Sequence, residues 1–459
     1  MIRFLRLSVP LAACLVVIAA SIESASVLAQ SQPGYDGGQK NRKTPEKVLR
    51  RLDTNGDGQV SRNEWVKPMA LFNRMDSNGD GILTYEELQA QFAGVPNQVQ
   101  QRVKKRKFPA GNNSETAGLE WIDVHVHLNV GRLQSPNATS ALDAAIEAMD
   151  TNHIAKMVLM PQPMIGIVRK GRKLPPVPVE RWIDAARRYP DRFEVMGGGG
   201  SLNAMIHEDS PDGHVSEALE RRFAQRAEAI LNMGAIGFGE LALTHLSMVP
   251  GQEYMSVPAD HPLLLMLSDI AAEHDVVIDI HFDPIAADIP LPGYVNGENP
   301  PTLKRNLDAF ERFLDHNRRT KISWAHVGSD RLSFWTASFT RDMLGRHPNL
   351  YMSLRMFASR SGLNHPLTDD GITEDWMATF RQFPDRFFIG GDQFFLSSAL
   401  RRKDGPSVKF ARLSQDTRDR VNRFLSYLPA EIARKFAFEN AVRVYKIANT
   451  GRLTQHRGQ

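Results

Sequence analysis

From residue 120 onward, short runs of alternating or β-branched apolar residues are separated by longer stretches where apolar positions recur every three or four residues. The first pattern reads as strand and the second as one-sided helix. The strand candidates span 121–127, 156–160, 194–198, 235–241, 276–281, 321–326, 350–354 and 387–391. Between them lie amphipathic segments such as 141–151, 215–233, 263–274, 303–317 and 375–383. Strands that start at intervals of about forty residues, each followed by a helix, predict a parallel sheet closed into a (β/α)8 barrel. An open doubly wound sheet is the alternative. It is disfavoured because no Gly-x-Gly-x-x-Gly opens a helix and no phosphate-binding loop is present. The Gly197 to Gly200 run reads instead as the tight end of the third strand.

Ahead of the barrel the pattern changes. Asp53-Thr54-Asn55-Gly56-Asp57-Gly58-Gln59-Val60-Ser61-Arg62-Asn63-Glu64 fits a twelve-residue EF-hand loop. Asp53, Asn55 and Asp57 supply side-chain oxygens, Gly58 permits the sharp turn, Gln59 offers its carbonyl, and Glu64 closes the site with two oxygens. The pattern repeats with Asp76, Asn78, Asp80, Gly81, Ile82 and Glu87, the loops starting 23 residues apart. Val60 and Leu83 fall at the apolar eighth position, where paired loops form a short β contact. Two full copies predict two bound calcium ions rather than a pair of Asx-rich turns. Extracellular modules of this type bind at about 10⁻⁴–10⁻³ M, which suits a constant structural ion better than a switch.

Residues 1–29 predict a cleaved secretory signal: Arg3 and Arg6, an apolar run broken by Pro10, then Val27-Leu28-Ala29. An uncleaved anchor is the alternative. Leu11-Ala12-Ala13-Cys14 resembles a lipoprotein box, but apolar sequence continues past the cysteine. The expected destination is secreted or periplasmic. Cys14 is the only cysteine, so a cleaved protein has no disulfide and no thiolate ligand. Later segments lack the roughly 18 consecutive apolar residues of a membrane span. The expected organisation is a signal over 1–29, a polar linker over 30–44, an all-α EF-hand pair over 45–94, a basic linker over 95–119 and the barrel over 120–450. A net charge of +4 is too weak to argue nucleic-acid binding. The basic run 102–107 reads as solvated linker.

Metal chemistry is suggested by polar residues at the predicted strand ends. In Trp121-Ile122-Asp123-Val124-His125-Val126-His127-Leu128, strict alternation would place Asp123, His125 and His127 on one face. Imidazole nitrogens suit zinc and similar ions, although an isolated pair also fits a buried, hydrogen-bonded strand. Glu240, His281, His326 and Asp392 fall at the ends of the fourth, fifth, sixth and eighth strands, where a barrel builds its site. Convergence on one or two divalent transition-metal ions, zinc foremost, is therefore expected. His245 is a weaker candidate and reads better as a loop residue. Trp324 reads as packing.

Asp123 to His127, His281, Trp324-Ala325-His326-Val327-Gly328, Ile389-Gly390-Gly391-Asp392 and the tail from Phe438 to Tyr445 resemble the amidohydrolase superfamily, particularly its amidohydrolase 2 branch, over about residues 120 to 448. The resemblance implies His125, His127 and His281 as metal ligands. Asp392 would be both ligand and proton acceptor. His326 would be a second-metal ligand or, with one ion, a catalytic electrophile. Gly239-Glu240-Leu241 is similar to the strand-four glutamate of TatD-type members, which bridges two ions; the carbamylated lysine of many other members has no counterpart here. Metal-assisted hydrolysis of a small molecule follows as the leading expectation. Arg355, with Arg360, Arg401, Arg402 and Lys403, would suit an anionic substrate, though ordinary surface charge explains them equally. Lys170, Arg172 and Lys173 fit a lid or solvated charge. Decarboxylation or hydration on the same fold, a TatD-like phosphodiesterase, and a calcium-binding module on a retired barrel are the competing expectations.

Overall fold

The computed structural model describes residues 114–116, 118–129, 138–163, 167–169, 172–174, 179–247, 252–293, 295, 297–329, 331–332, 334–356, 364–368, 370–396 and 406–448, with 49, 51–54, 57–62, 64, 65, 72, 75, 76, 80–84, 87 and 88 of the N-terminal module. The predicted signal, the polar linker, the basic run 102–107, Asn55, Asn78, Lys170, Arg360, Arg401, Arg402 and Lys403 lie outside these residues. Among the described residues no helix is long and apolar enough to cross a membrane.

Eight parallel strands form one closed sheet: β1 (Trp121–Asn129), β2 (Ile154–Leu159), β3 (Phe193–Val195 with Gly197–Gly198), β4 (Gly237–His245), β5 (Val277–Phe282), β6 (Lys321–Val327), β7 (Leu350–Leu354) and β8 (Phe387–Ile389 with Gln393–Leu396). Each pairs with the next, and β8 returns to β1 through Ile389 opposite Asp123 and Gln393 opposite Val126. The break at Met196 lets β3 pair with β2 before it and with β4 after it, completing the circle. This is the barrel that the periodicity predicts, and it abolishes sheet edges.

The helices that follow the strands cover the outside: α1 (Ala138–Thr151), α2 (Glu180–Ala186), α3 (Glu217–Asn232), α4 (Pro262–Glu273), α5 (Leu307–His316), α6 (Ala337–Arg346), α7 (Glu374–Gln382) and α8 (Pro406–Tyr427). The helix expected from residue 303 starts at Leu307, because Thr302–Leu303 pairs instead with Ile289–Pro290. Ser216 and Thr336 cap α3 and α6 by accepting the backbone N–H three residues on. The main core lies between strands and helices; Trp324 belongs to it, fully buried against Trp335 and Phe310 and donating to the Phe282 carbonyl. A second cluster joins Ile122, Val124, Val158, Met196 and Phe388 to Ala441, Val444 and Tyr445 of the closing helix Asn440–Tyr445. That helix plugs the N-terminal end of the barrel and leaves the C-terminal end as the mouth.

In the N-terminal module, Val60–Ser61 pairs antiparallel with Ile82–Leu83, Val60 facing Leu83 as the loop pattern predicts. Leu52, Val60, Trp65, Phe72, Met75, Leu83 and Leu88 form its own small core.

Candidate metal centre

The donor residues reach the barrel interior through a shared backbone device. Between the Asp123–Met157 and Val126–Leu159 pairings, β1 holds one residue more than β2. β4 gains one over β5 between Phe238 and Leu241, and β6 gains one over β7 between Trp324 and Val327. Each is a β-bulge, which re-aims the side chain beside it. The residues carried there are His125, Glu240 and His326. Outward residues therefore sit three apart on these strands (Asp123 and Val126, Phe238 and Leu241, Trp324 and Val327), and the intervening ligand turns inward.

The bulge on β1 corrects one expectation. Asp123 does not share a face with His125 and His127. It turns to the helical side, fully buried, and accepts hydrogen bonds from the Gly391 N–H (2.8 Å), the Gln393 amide (2.6 Å) and the His125 N–H (3.2 Å). The Gln393 amide oxygen in turn accepts from Arg418 of α8 at 2.8 Å. Burial lifts the Asp123 carboxyl to about 6 despite these donors. Asp123 thus clasps β1 to β8, and a Cβ on Gly391 would lie 2.6 Å from its Oδ2.

Inside the mouth, His125, His127, Glu240, His281, His326 and Asp392 converge. The donor atoms of His125, Glu240 and His326 lie within 4.8 Å of one another, as do those of His125, His127 and Asp392. Glu240, only 3% exposed, divides its carboxylate. Its Oε2 faces the Nε2 atoms of His125 and His127 at 3.4 and 3.3 Å. Its Oε1 faces His281 Nδ1 and His326 Nε2, both at 3.0 Å. Asp392 Oδ1 lies 3.3 Å from His127 Nε2, and its Oδ2 is 2.7 Å from Arg355 Nη2. His326 and Asp392 both adopt positive φ, 73° and 47°, a conformation disfavoured for such residues and concentrated at functional sites.

Polar groups stand behind three of the four rings, on the outer nitrogens of His127, His125 and His281, while among the described residues His326 Nδ1 has no hydrogen-bond partner. His127 Nδ1 donates to the Met160 carbonyl at 2.8 Å. His125 Nδ1 is 3.1 Å from Asp279, whose other oxygen accepts from Ser323 at 3.0 Å. His281 Nε2 lies 3.5 Å from Asp283, itself held by the Leu246 N–H at 2.8 Å. With the hydrogens on these outer nitrogens, the inner ones carry bare lone pairs. His125 and His127 then point two lone pairs at each other across 3.2 Å, and His281 points one at a carboxylate oxygen. Such an arrangement repels itself unless a cation lies between. A divalent ion fits this donor set, and protons are the substitute without one. Burial alone would lower His127 and His281, but Asp392 and Glu240 on the first and Asp283 and Glu240 on the second lift both to about 9. Burial likewise opposes charge on His125, yet Asp279 and Glu240 raise it well above the usual range. His326, with burial dominant, falls to about 3. Burial opposes ionisation of Glu240 and Asp392, but neighbouring His125 for the first and Arg355 for the second hold both well below the carboxylate range.

His245 closes β4 without joining the donors; its ring stacks on His281 at 4.0 Å and buttresses it. Arg172 and Lys173 lie on a small hairpin, Ile167–Arg169 with Arg172–Leu174. Asp279 and Asp283 escaped the sequence reading. They sit two residues either side of His281, so the alternation of β5 carried a signal for them.

In the first EF-hand loop, Asp53 Oδ2 accepts from Gly58 N–H at 2.9 Å, and Glu64 reaches back to Thr54 and Ser61. The second repeats this with Asp76 to Gly81 and Glu87 to Thr84. Gly58 and Gly81 take φ of 81° and 83°, the left-handed turn that only glycine makes freely.

The family model for the EF hand matches residues 46–70 and 69–93. Curated protein sequences give no match. Among solved structures, an uncharacterised TIM-barrel protein from Bordetella bronchiseptica is 14% identical, with a TM-score of 0.41, covering 72% of this chain and 99% of its own. A Staphylococcus aureus protein described as an amidohydrolase is 13% identical, TM-score 0.37, covering 72% and 100%. A dihydroxybenzoic acid decarboxylase from Polaromonas, solved with manganese and 2-nitroresorcinol, is 11% identical, TM-score 0.38, covering 72% and 97%.

Proposed function

We propose that the chain is an exported metal-dependent hydrolase of the amidohydrolase type, holding two divalent ions, zinc foremost, across Glu240. One ion would be held by His125, His127, Asp392 and Glu240, and the other by His281, His326 and Glu240. A divalent ion held there supplies Lewis acidity, making water a nucleophile near neutral pH and polarising the bond to be cut. Asp392 stays ionised because Arg355 holds its outer oxygen, so it can accept the proton of the attacking water and return it to the leaving group. Asp279, Asp283 and the Met160 carbonyl keep His125, His281 and His127 in the required tautomers. Arg355 serves a second role at the rim as a contact for a small anionic substrate. The EF-hand pair binds calcium as a structural element, in keeping with an extracellular location.

The observation that carries this reading is the convergence of four imidazoles on the two oxygens of one buried carboxylate, Glu240, with His125 Nε2 and His127 Nε2 only 3.2 Å apart. Purified protein reconstituted with zinc or manganese should bind two ions per chain in the barrel and cleave an amide or ester from a broad panel, adding one water. Release of carbon dioxide without such cleavage would replace hydrolysis by decarboxylation. A fully metallated protein inert towards the whole panel would replace catalysis by binding.

A further inference from the structure

The strand that carries Glu240 has an incomplete neighbour. On one side β4 pairs with β5, and the bulge leaves Glu240 out of that register. On the other side β3 stops early, with Gly197 and Gly198 facing Phe238 and Gly239. Pairing resumes only where Ser256 and Met255 meet Thr244 and His245. Between these two stretches a bare strand edge would leave backbone donors and acceptors open. The short helix Leu202–His207 fills that gap with side chains. Asn203 and His207 stand one helical turn apart and share the face turned to β4. Asn203 Nδ2 donates to the Glu240 carbonyl at 3.4 Å, and its Oδ1 accepts from the Ala242 N–H at 3.3 Å. His207 Nε2 donates to the Ala242 carbonyl at 2.7 Å.

A primary amide offers the same N–H and C=O as a peptide unit. Asn203 therefore makes the two bonds by which a residue of a parallel strand brackets its neighbour, one to the preceding carbonyl and one from the following N–H. Its side chain stands in for the missing part of β3. Asn203 is fully buried, and Nδ2 donates a second bond, to the Pro163 carbonyl at 3.1 Å. The Glu240 N–H strengthens the same link by donating to the Pro161 carbonyl at 3.3 Å. The segment tied in this way begins at Met160, whose carbonyl accepts from His127 Nδ1. Gly199 lets the chain pass: a Cβ there would lie 2.6 Å from the Pro161 oxygen and 2.8 Å from the Glu240 oxygen. Asparagine alone fits this place. Aspartate lacks the donors, leucine lacks both functions, and glutamine would carry the amide one methylene too far.

We infer that Asn203 is a positioning residue for Glu240: it holds the backbone around the bulge so that one carboxylate divides between His125 and His127 on one side and His281 and His326 on the other. The inference rests on the metal-site reading for what that carboxylate does. Its loss should fall unequally on the two ions. With Glu240 misplaced, one ion keeps His125, His127 and Asp392, whereas the other keeps only His281 and His326.

The test compares full-length wild type, Asn203→Leu and Asn203→Asp titrated with manganese, by calorimetry and by electron paramagnetic resonance. The wild type should bind two ions with the coupled signal of a carboxylate-bridged pair. Both variants should hold one ion within about twofold of the wild type and lose at least about tenfold in affinity for the other, leaving the spectrum of isolated ions. Asn203→Asp has nearly the same shape and keeps the bond from the Ala242 N–H, so it decides the matter if Asn203→Leu does not fold. A coupled pair of unchanged affinity in Asn203→Asp would overturn the assignment. So would an equal weakening of both ions together with a lower unfolding temperature, since that is what general loosening of the barrel produces. If the wild type takes up a single ion, the two-ion reading falls; a weaker hold on that ion in Asn203→Asp at unchanged unfolding temperature then keeps Asn203 in its role, and an unchanged hold removes it. A wild type that takes up no ion overturns both.

Discussion

The EF-hand pair and the barrel mouth both gather oxygen or nitrogen donors around a cation position, yet they are built in opposite ways. Each EF-hand loop draws its donors from twelve consecutive residues, and local hydrogen bonds such as Asp53 to Gly58 and Glu64 to Ser61 shape it. The mouth draws its donors from residues 125 to 392, on five different strands. It exists only when the barrel has closed. A local site can lose a ligand and remain a loop. A site assembled over the whole chain shares its residues with the fold, so its chemistry and its stability are coupled.

The largest break in that comparison should come from Asp392. Asp392→Asn removes the proton acceptor and the charge that pairs with Arg355, while preserving shape. Turnover should fall by about 10²–10⁴-fold, with calcium binding at the N-terminal module unchanged. Steady-state kinetics beside calcium calorimetry reads both. An unaltered turnover number would remove Asp392 from the chemistry.

A smaller effect is expected one layer back. Asp123 touches no donor atom of the cluster, but it orders the Gly391-Asp392-Gln393 turn. Asp123→Ala leaves the Gln393 amide and the Gly391 N–H without an acceptor, costing about 2–3 kcal/mol of barrel stability. Metal affinity should fall with it. The counterpart Arg62→Ala, which removes an ion pair of 3.6 Å with Asp76 in the calcium module, should change stability by under about 1 kcal/mol because Arg62 is half exposed. Thermal unfolding of both variants decides whether the two regions differ as argued.

Titration separates the regions in another way. Without metal, His127 and His281 sit at about 9 and are protonated at pH 7. Their raised values stabilise the ion-free fold fully below the unfolded value of about 6.5, and that stabilisation is lost as pH rises through about 9. Ion binding needs both rings neutral, so it must expel these protons. His125 is raised with them, so affinity between pH 7 and 8 should rise by up to about a hundredfold per pH unit for the ion held by His125 and His127, and by about tenfold for the ion held by His281 and His326, one factor of ten for each proton. Calorimetry in buffers of different ionisation enthalpy would count the protons released. Calcium, bound by oxygens, should show no such slope over the same range. Flat metal affinity would mean the rings are already neutral in the ion-free protein.

The same contrast explains what was legible in the sequence. The EF-hand loops declare themselves because ligand order and residue order coincide, and the Val60–Leu83 contact follows from that order. The barrel was legible through the spacing of its strands, and the identities of His125, His127, Glu240, His281, His326 and Asp392 through their places at strand ends. The bulges were hidden. A bulge is a mismatch in count between two strands, so no single strand displays it; strict alternation therefore put Asp123 beside His125.

The smallest effect on turnover should come from calcium itself. At 1 mM calcium and a dissociation constant of about 10⁻⁴ M, each loop gains about 1.4 kcal/mol from its ion. Glu64→Gln removes one of the two closing carboxylates and should lose most of that amount from the first loop, through weaker ligation and a looser hold on Thr54 and Ser61. The module has its own core of Leu52, Val60, Trp65, Phe72 and Leu83, so this loss should stay within it. Turnover of the metal-loaded barrel should change by less than about twofold, since about 0.4 kcal/mol is all that a factor of two requires. A larger drop in Glu64→Gln, reversed by excess calcium, would mean that the two regions are coupled and that the calcium module regulates the mouth.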